Sequence, residues 1–168
     1  MQFETLFVEM VDSTNMINAL LAGIDDAEAS LRPTPEAWSI LEVICHLYDE
    51  EREDFREHLR FILNPQGEWH RIRPQAWVTE RGYNARKLRD MKEKFFAERN
   101  QSLDWLKSVE RADWDTSYSS EFGTMTAGAM FASWVAHDNL HIRQLVELRR
   151  AHIERITAPC SIEYAGEW

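Results

Sequence analysis

Apolar residues return at steps of three and four in four long segments of this chain, and no segment alternates apolar and polar residues one by one. In the first segment they fall at Phe3, Leu6, Phe7, Met10, Ile17, Leu20, Leu21 and Ile24, the spacing that lines one side of a helix. The second stripe runs through Val43, Leu47, Phe55, Leu59 and Ile62. It opens where Ser39 and Glu42 have capping-box spacing and Trp38 and Val43 that of a hydrophobic staple, and it ends before Asn64-Pro65. A third helix, with Asn84 as its cap, carries Leu88, Met91, Phe95, Ser102, Leu106 and Val109. Gly123 with Thr124 or Thr126 introduces the fourth, which is expected to run to about Arg150 and leave an irregular tail.

Four amphipathic helices without strands or repeats predict an all-α four-helix bundle, a single domain over residues 1–168. Residues 64–83 contain Pro65, Gly67, Pro74 and Gly82 with no sustained period, which predicts a long second loop holding at most one short helical turn. About 20 residues reach ~60 Å when extended, enough to run the length of a bundle. The second and third helices can then point the same way, so an up-down-down-up order is favoured over simple up-and-down.

The formal charge of −10 repels a phosphate backbone from most of the surface, which argues against nucleic acid as a partner. Cys45 and Cys160 form neither a disulfide framework nor a thiolate zinc motif. No charged segment followed by an apolar run opens the sequence. The longest uncharged stretch, FGTMTAGAMFASWVA, falls short of the ~18–20 apolar residues that cross a bilayer and reads as a buried helix start. A cytoplasmic protein without membrane contact is expected.

Against this background two histidines stand out. Met130, Trp134, His137, His141, Leu145 and Leu148 share the inward stripe of the fourth helix, so both imidazoles face the bundle. Residues at i and i+4 lie roughly 5–6 Å apart, and both rings can reach one ion at about 2.0–2.1 Å. The same spacing also suits hydrogen-bonded core histidines, so a third ligand has to decide. His46, on the edge of the second stripe, is the best placed candidate. His58 is flanked by charges, His152 lies at a fraying helix end, and His70 sits in the loop, from which it could swing over a site. A zinc peptidase would need His-Glu-x-x-His, where this chain has Asp138, and a carboxylate-bridged di-iron bundle would need two Glu-x-x-His pairs, which are lacking.

The proline-rich lead into AWSILEVICHL, the later HDNLHIRQL and the WVTERGYN loop between them resemble the DinB-like superfamily of four-helix proteins over nearly the whole chain. The most specific part joins Trp38, Ser39, Glu42, His46 and Leu47 to His137, Asp138, His141 and Gln144. The resemblance implies an up-down-down-up bundle, usually a homodimer, with a divalent ion on His46, His137 and His141. It also implies thiol-dependent chemistry on a small-molecule substrate, as in S-transferases that use low-molecular-weight thiols.

Three neutral imidazoles leave at least one coordination position open, where a bound thiol or water would lose its proton near neutral pH. Imidazole suits zinc, nickel and iron alike, and manganese if waters complete its shell. Glu50, one turn after His46, and Asp138, three residues before His141, are candidates to orient the ligands from behind, as is Gln144; each reads equally well as a solvated surface group. The functional expectation is a metal-dependent, thiol-linked transferase, with hydrolysis second and a non-catalytic metal or small-molecule binder as the alternative.

Overall fold

The computed structural model of the chain describes residues 2–69, 71–120 and 123–166. Its long rods are α1 (Phe3–Leu20), the pair α3 (Ile40–Glu50) and α4 (Arg56–Leu63) joined by a π-helical turn (Glu51–Phe55), α6 (Leu88–Ser108) and α7 (Ala127–Thr157). Short helices α2 (Asp26–Ala29) and α5 (Pro74–Glu80) lie in the connections, and a hairpin of β1 (Ser117–Ser120) and β2 (Gly123–Thr126) precedes α7.

Contacts along the rods establish their directions. Phe3 packs on Phe131 and Arg149 reaches the carbonyl of Leu20, so α1 and α7 run parallel. Glu51 meets Arg99, Arg56 meets Ser102 and Arg60 covers Trp105, so the second rod and α6 also run parallel. Glu4 pairs with Lys107 while Thr14 meets Arg99, which sets α6 against α1. The order is up-down-down-up, as expected from the long second connection.

Local chemistry explains where the rods begin. Ser39 accepts from the Glu42 N–H and Glu42 accepts from the Ser39 N–H, a complete capping box that also seats Arg32 on Glu42. Thr126 caps α7 by accepting from Ala129 N–H. The expected cap Asn84 does not cap α6, whose N-cap is Lys87. Asn84 lies in a 3-10 turn, where its side chain donates to the Ser30 carbonyl and accepts from the Ser39 hydroxyl.

Three further expectations need correction. The second connection contains a seven-residue helix and a 3-10 turn rather than at most one turn; Pro74 at the first position of α5 nucleates it, and Trp77 and Val78 bury its inner side. The Gly123–Thr126 part of the supposed helix start is a strand, paired from Ser117 opposite Thr126 to Ser120 opposite Gly123. That hairpin is held by Tyr118, stacked 5.1 Å from Trp69 and edge-on to Phe61. The last helix continues to Thr157, two turns past Arg150. Among the described residues no helix is long and apolar enough to cross a membrane.

Two apolar clusters fill the bundle. One gathers around Ile44, Leu47, Phe95 and Leu145, the other around Met10, Leu59, Phe131 and Trp134. Between them lies a buried polar layer of Glu51, Arg99, Asp138 and His141.

Candidate metal centre

The antiparallel crossing of α3 and α7 brings His46 against His137 and His141. His137 Nε2 stands 3.3 Å from His46 Nε2 and 3.1 Å from His141 Nε2. One ligand nitrogen from each ring lies within 4.8 Å of the others. Nitrogens at about 2.0–2.1 Å from one tetrahedral ion stand about 3.3–3.4 Å from each other, so this spacing fits a shared cation after small side-chain adjustment. Neutral rings make a poor mutual network here, because each Nε2 carries at most one proton and His137 Nε2 faces two others.

The atoms behind the rings strengthen the fit. Gln144 Oε1 lies 2.8 Å from His141 Nδ1, which places the His141 proton on Nδ1 and leaves Nε2 bare. His46 Nδ1 and Glu50 Oε1 are 3.6 Å apart, both buried and both without a hydrogen-bond partner. A small closure between them would fix the His46 tautomer in the same sense. Of the residues expected to orient ligands, Gln144 and Glu50 therefore lie against histidines.

Asp138 does not. Its two carboxylate oxygens accept from Arg99 at 2.7 and 2.8 Å, in a fully buried layer where Arg99 also donates to Glu51. The physical reason is the cost of burying a guanidinium, which requires carboxylates on both sides. Asp138 sits next to His137 in sequence, so the pair braces the turn of α7 that presents the histidines.

Burial holds His46 down at about 2, with His141 and His137 adding to the effect. Burial likewise holds His137 at about 3, aided by His141 and Arg99 and opposed by Asp54. His141 is lowered by burial against the opposing pull of Gln144 and Asp138. The three rings are thus neutral near pH 7, the protonation state a cation requires. Burial first, and then the neighbouring Asp54, pushes Glu50 up to about 10.

The cluster opens on a cavity of about 810 Å³ between α3, α5 and α7. Trp38 forms part of its wall, edge-on to His46 at 5.0 Å and parallel to His141 at 6.5 Å. Phe55, placed by the π turn, lies 5.0 Å from His137 and stacks on Trp134. A buried carboxyl–imidazole pair, Asp54 with His58 at 2.6 Å, continues the same side of the second rod. His58 is also stacked on Trp69 at 4.0 Å, away from the three histidines, and His152 lies by Glu28 and Arg155 at the far end of α7. His70 lies outside the described residues.

Periodicity does not single out Arg99 or the Asp54–His58 pair as parts of the site. Arg99 had a signal: it is four residues after Phe95 and three before Ser102, on the inward stripe of α6. Phe55 is a core residue as its stripe position predicts, and it also lies against His137.

The profile of the DinB superfamily matches residues 9–145. The solved structure of YfiT from Bacillus subtilis, described as a probable metal-dependent hydrolase with an unusual four-helix bundle topology, aligns at a TM-score of 0.76 and 13% identity. The alignment covers 89% of this chain and 86% of that one, and at such identity it shows a shared fold. No curated protein matches the sequence.

Proposed function

The chain belongs to the DinB superfamily, and from that premise we propose that it is a metal-dependent enzyme using a divalent ion on His46, His137 and His141. One observation carries the reading: three neutral imidazole nitrogens converge at the wall of a cavity large enough for a small molecule, leaving one side of any shared ion toward that cavity. Bound there, the ion would supply Lewis acidity that favours the ionised form of a thiol or water.

The residues of the chain have separable parts in this reading. Gln144 holds the His141 ring with Nε2 bare, and Glu50, 3.6 Å from His46 Nδ1, is placed to do the same for His46 once the gap closes. Trp38 and Phe55 exclude water from one side and offer an apolar wall to a substrate.

Thiol-linked group transfer is the favoured reaction, on the motif resemblance. Hydrolysis is the second reading, favoured by the description of YfiT. A homodimer located in the cytoplasm, acting on a small molecule, completes the proposal. The test begins with elemental analysis of purified protein beside a variant with all three histidines replaced by alanine. Metal-loaded protein is then incubated with electrophiles, with and without thiols. Thiol-dependent turnover that vanishes in His137→Ala supports transfer, thiol-independent turnover supports hydrolysis, and absence of a bound equivalent of metal ends the proposal. Bound metal that raises the melting temperature without any turnover would instead place the ion in a binding or structural role.

A further inference from the structure

A second cavity, of about 330 Å³, lies between α3, the π turn, the end of the second connection and α6, and it shares no lining residue with the cavity at the histidines. Cys45 and Asp49 line it, one residue before His46 and Glu50 respectively, so the two cavities occupy neighbouring faces of the same rod. Its charged lining is four cations, Arg52, Arg81, Arg86 and Lys94, against two carboxylates, Asp49 and Glu53, in a chain whose formal charge is −10.

Pairing leaves a surplus of positive charge. Arg81 donates to Asp49 at 2.6 Å and to the two oxygens of Glu53 at 3.0 and 2.8 Å, and Arg52 donates to the same two carboxylates. Those four groups neutralise one another. Arg86 donates to a neutral acceptor, the Arg81 carbonyl at 2.8 Å, and Lys94 meets no carboxylate among the described residues. The acidic residues flanking Lys94 on α6 do not compensate it: Glu93 is paired with Arg89, Glu98 with Arg56, and Asp90 is exposed outside the cavity. Arg52 Nε is buried without a hydrogen-bond partner, although its guanidinium is held over the Tyr48 ring at 4.7 Å. Two uncompensated cations and an unused buried donor thus meet at one cleft from three parts of the chain, the condition in which a bound anion gains most.

We propose that this cavity binds a tetrahedral dianion of the phosphate class, free or as the end of a phosphate ester, through Arg86, Lys94 and Arg52. A charge of −2 cancels the surplus, and oxygens pointing in several directions meet donors arriving from the second rod, the connection and α6. A carboxylate supplies half the charge and only two acceptor atoms. In an ester the attached body lies along Tyr48 and Met91. The inference stands apart from the metal reading, which uses other residues.

Titration calorimetry of the protein as purified, with inorganic phosphate, phenyl phosphate and acetate at about 50 mM salt and about pH 8, tests it. Phosphate or phenyl phosphate is expected to bind at or below about 1 mM and acetate at least about tenfold more weakly; the tighter of the first two identifies the free ion or the ester as the source. Each exposed cation, about 5 Å from the dianion and screened by salt, is worth about fivefold. K94Q, which breaks no hydrogen bond, should therefore weaken binding about fivefold, and R86Q/K94Q about tenfold or more. The control R89Q/R111Q removes two exposed cations outside the cavity and should stay within about twofold of wild type. Binding undiminished in R86Q/K94Q places the anion elsewhere and overturns the inference, as does an equal loss in the control, acetate bound as tightly as phosphate, or no binding of either phosphate compound below about 10 mM.

Discussion

Arg99 donates to both carboxylate oxygens of Asp138, at 2.7 and 2.8 Å, in a layer where neither residue is exposed to solvent. The guanidinium reaches further, to Glu51 at 2.6 and 2.9 Å and to the Thr14 hydroxyl at 3.1 Å, so one side chain of α6 ties together α1, the π turn and α7. Trp134 donates its indole N–H to the same Glu51 oxygen. Burial pulls the Arg99 pKa down, but Asp138 and Glu51 outweigh it and raise it above the ordinary guanidinium value. Arg99→Met therefore leaves two buried carboxylates facing each other with no cation between them. Removing one partner of such a group costs about 3–5 kcal/mol. Urea unfolding of the metal-free protein should show a midpoint lowered accordingly with little change in slope; a loss below about 1 kcal/mol would mean the layer relaxes or hydrates.

This layer shows where sequence reading succeeds and where it stops. The capping box at Ser39–Glu42, the inward stripes and the i,i+4 histidines are local patterns, and each lies in the structure where its spacing puts it. Asp138 has histidines as its neighbours along the helix, which makes it a candidate partner for them as much as a surface charge, while its actual partner is 39 residues earlier on another rod. Arg99 occupies a stripe position, yet a charge there signals burial only when the carboxylates that compensate it are known. The π turn and the hairpin are tertiary in origin too. Glu51 is drawn inward by Arg99 and Trp134, and the strand residues Gly123–Met125 remain exposed, anchored through a Tyr118–Trp69 stack that no periodicity encodes.

The residues behind the histidines have a separable signature. Gln144 sets the His141 tautomer through Nδ1 but would not itself touch an ion. Gln144→Ala is expected to weaken zinc binding by about 10–100-fold, the usual loss when the orienting partner of a ligand histidine is removed. His137→Ala, which deletes a ligand, should lose more, and His152→Ala should lose nothing. Competition against a chromophoric chelator measures all three; equal losses for Gln144→Ala and His152→Ala would remove Gln144 from the site.

Acid should unfold the metal-free protein early. The three histidines are held neutral in the folded state by burial, while the unfolded chain takes up protons near the ordinary 6.5. The unfolded state binds more protons below that value, so stability is intact above pH 6.5 and declines as pH falls toward the depressed folded values of about 2 and about 3. Each histidine contributes a slope of up to about 1.4 kcal/mol per pH unit in this window. His137→Gln removes one titrating ring and should make the decline between pH 6 and pH 5, measured by urea unfolding, shallower by up to that amount. A slope identical to the wild type would show that His137 is protonated in the folded protein as readily as in the unfolded one.

Glu50 has the opposite sign. Its folded value is raised from 4.5 to about 10, chiefly by burial, so the folded state holds a proton that the unfolded state has released. The stability associated with this group is present below pH 4.5 and is lost as pH rises toward 10. At pH 8 the cost is on the order of 1–3 kcal/mol. Glu50→Gln mimics the protonated carboxyl at all pH values, so the metal-free variant should be more stable than the wild type at pH 8 and nearly equal to it at pH 4.5. The same variant should bind zinc more weakly, because the amide cannot become the anion that draws the His46 Nδ1 proton. Thermal melts at the two pH values with chelator, and again with zinc, separate the effects. A Glu50→Gln protein less stable than wild type at pH 8 without metal would show that the buried carboxyl is stabilising as it stands, and that its position against His46 is a packing feature rather than a site held ready for a cation.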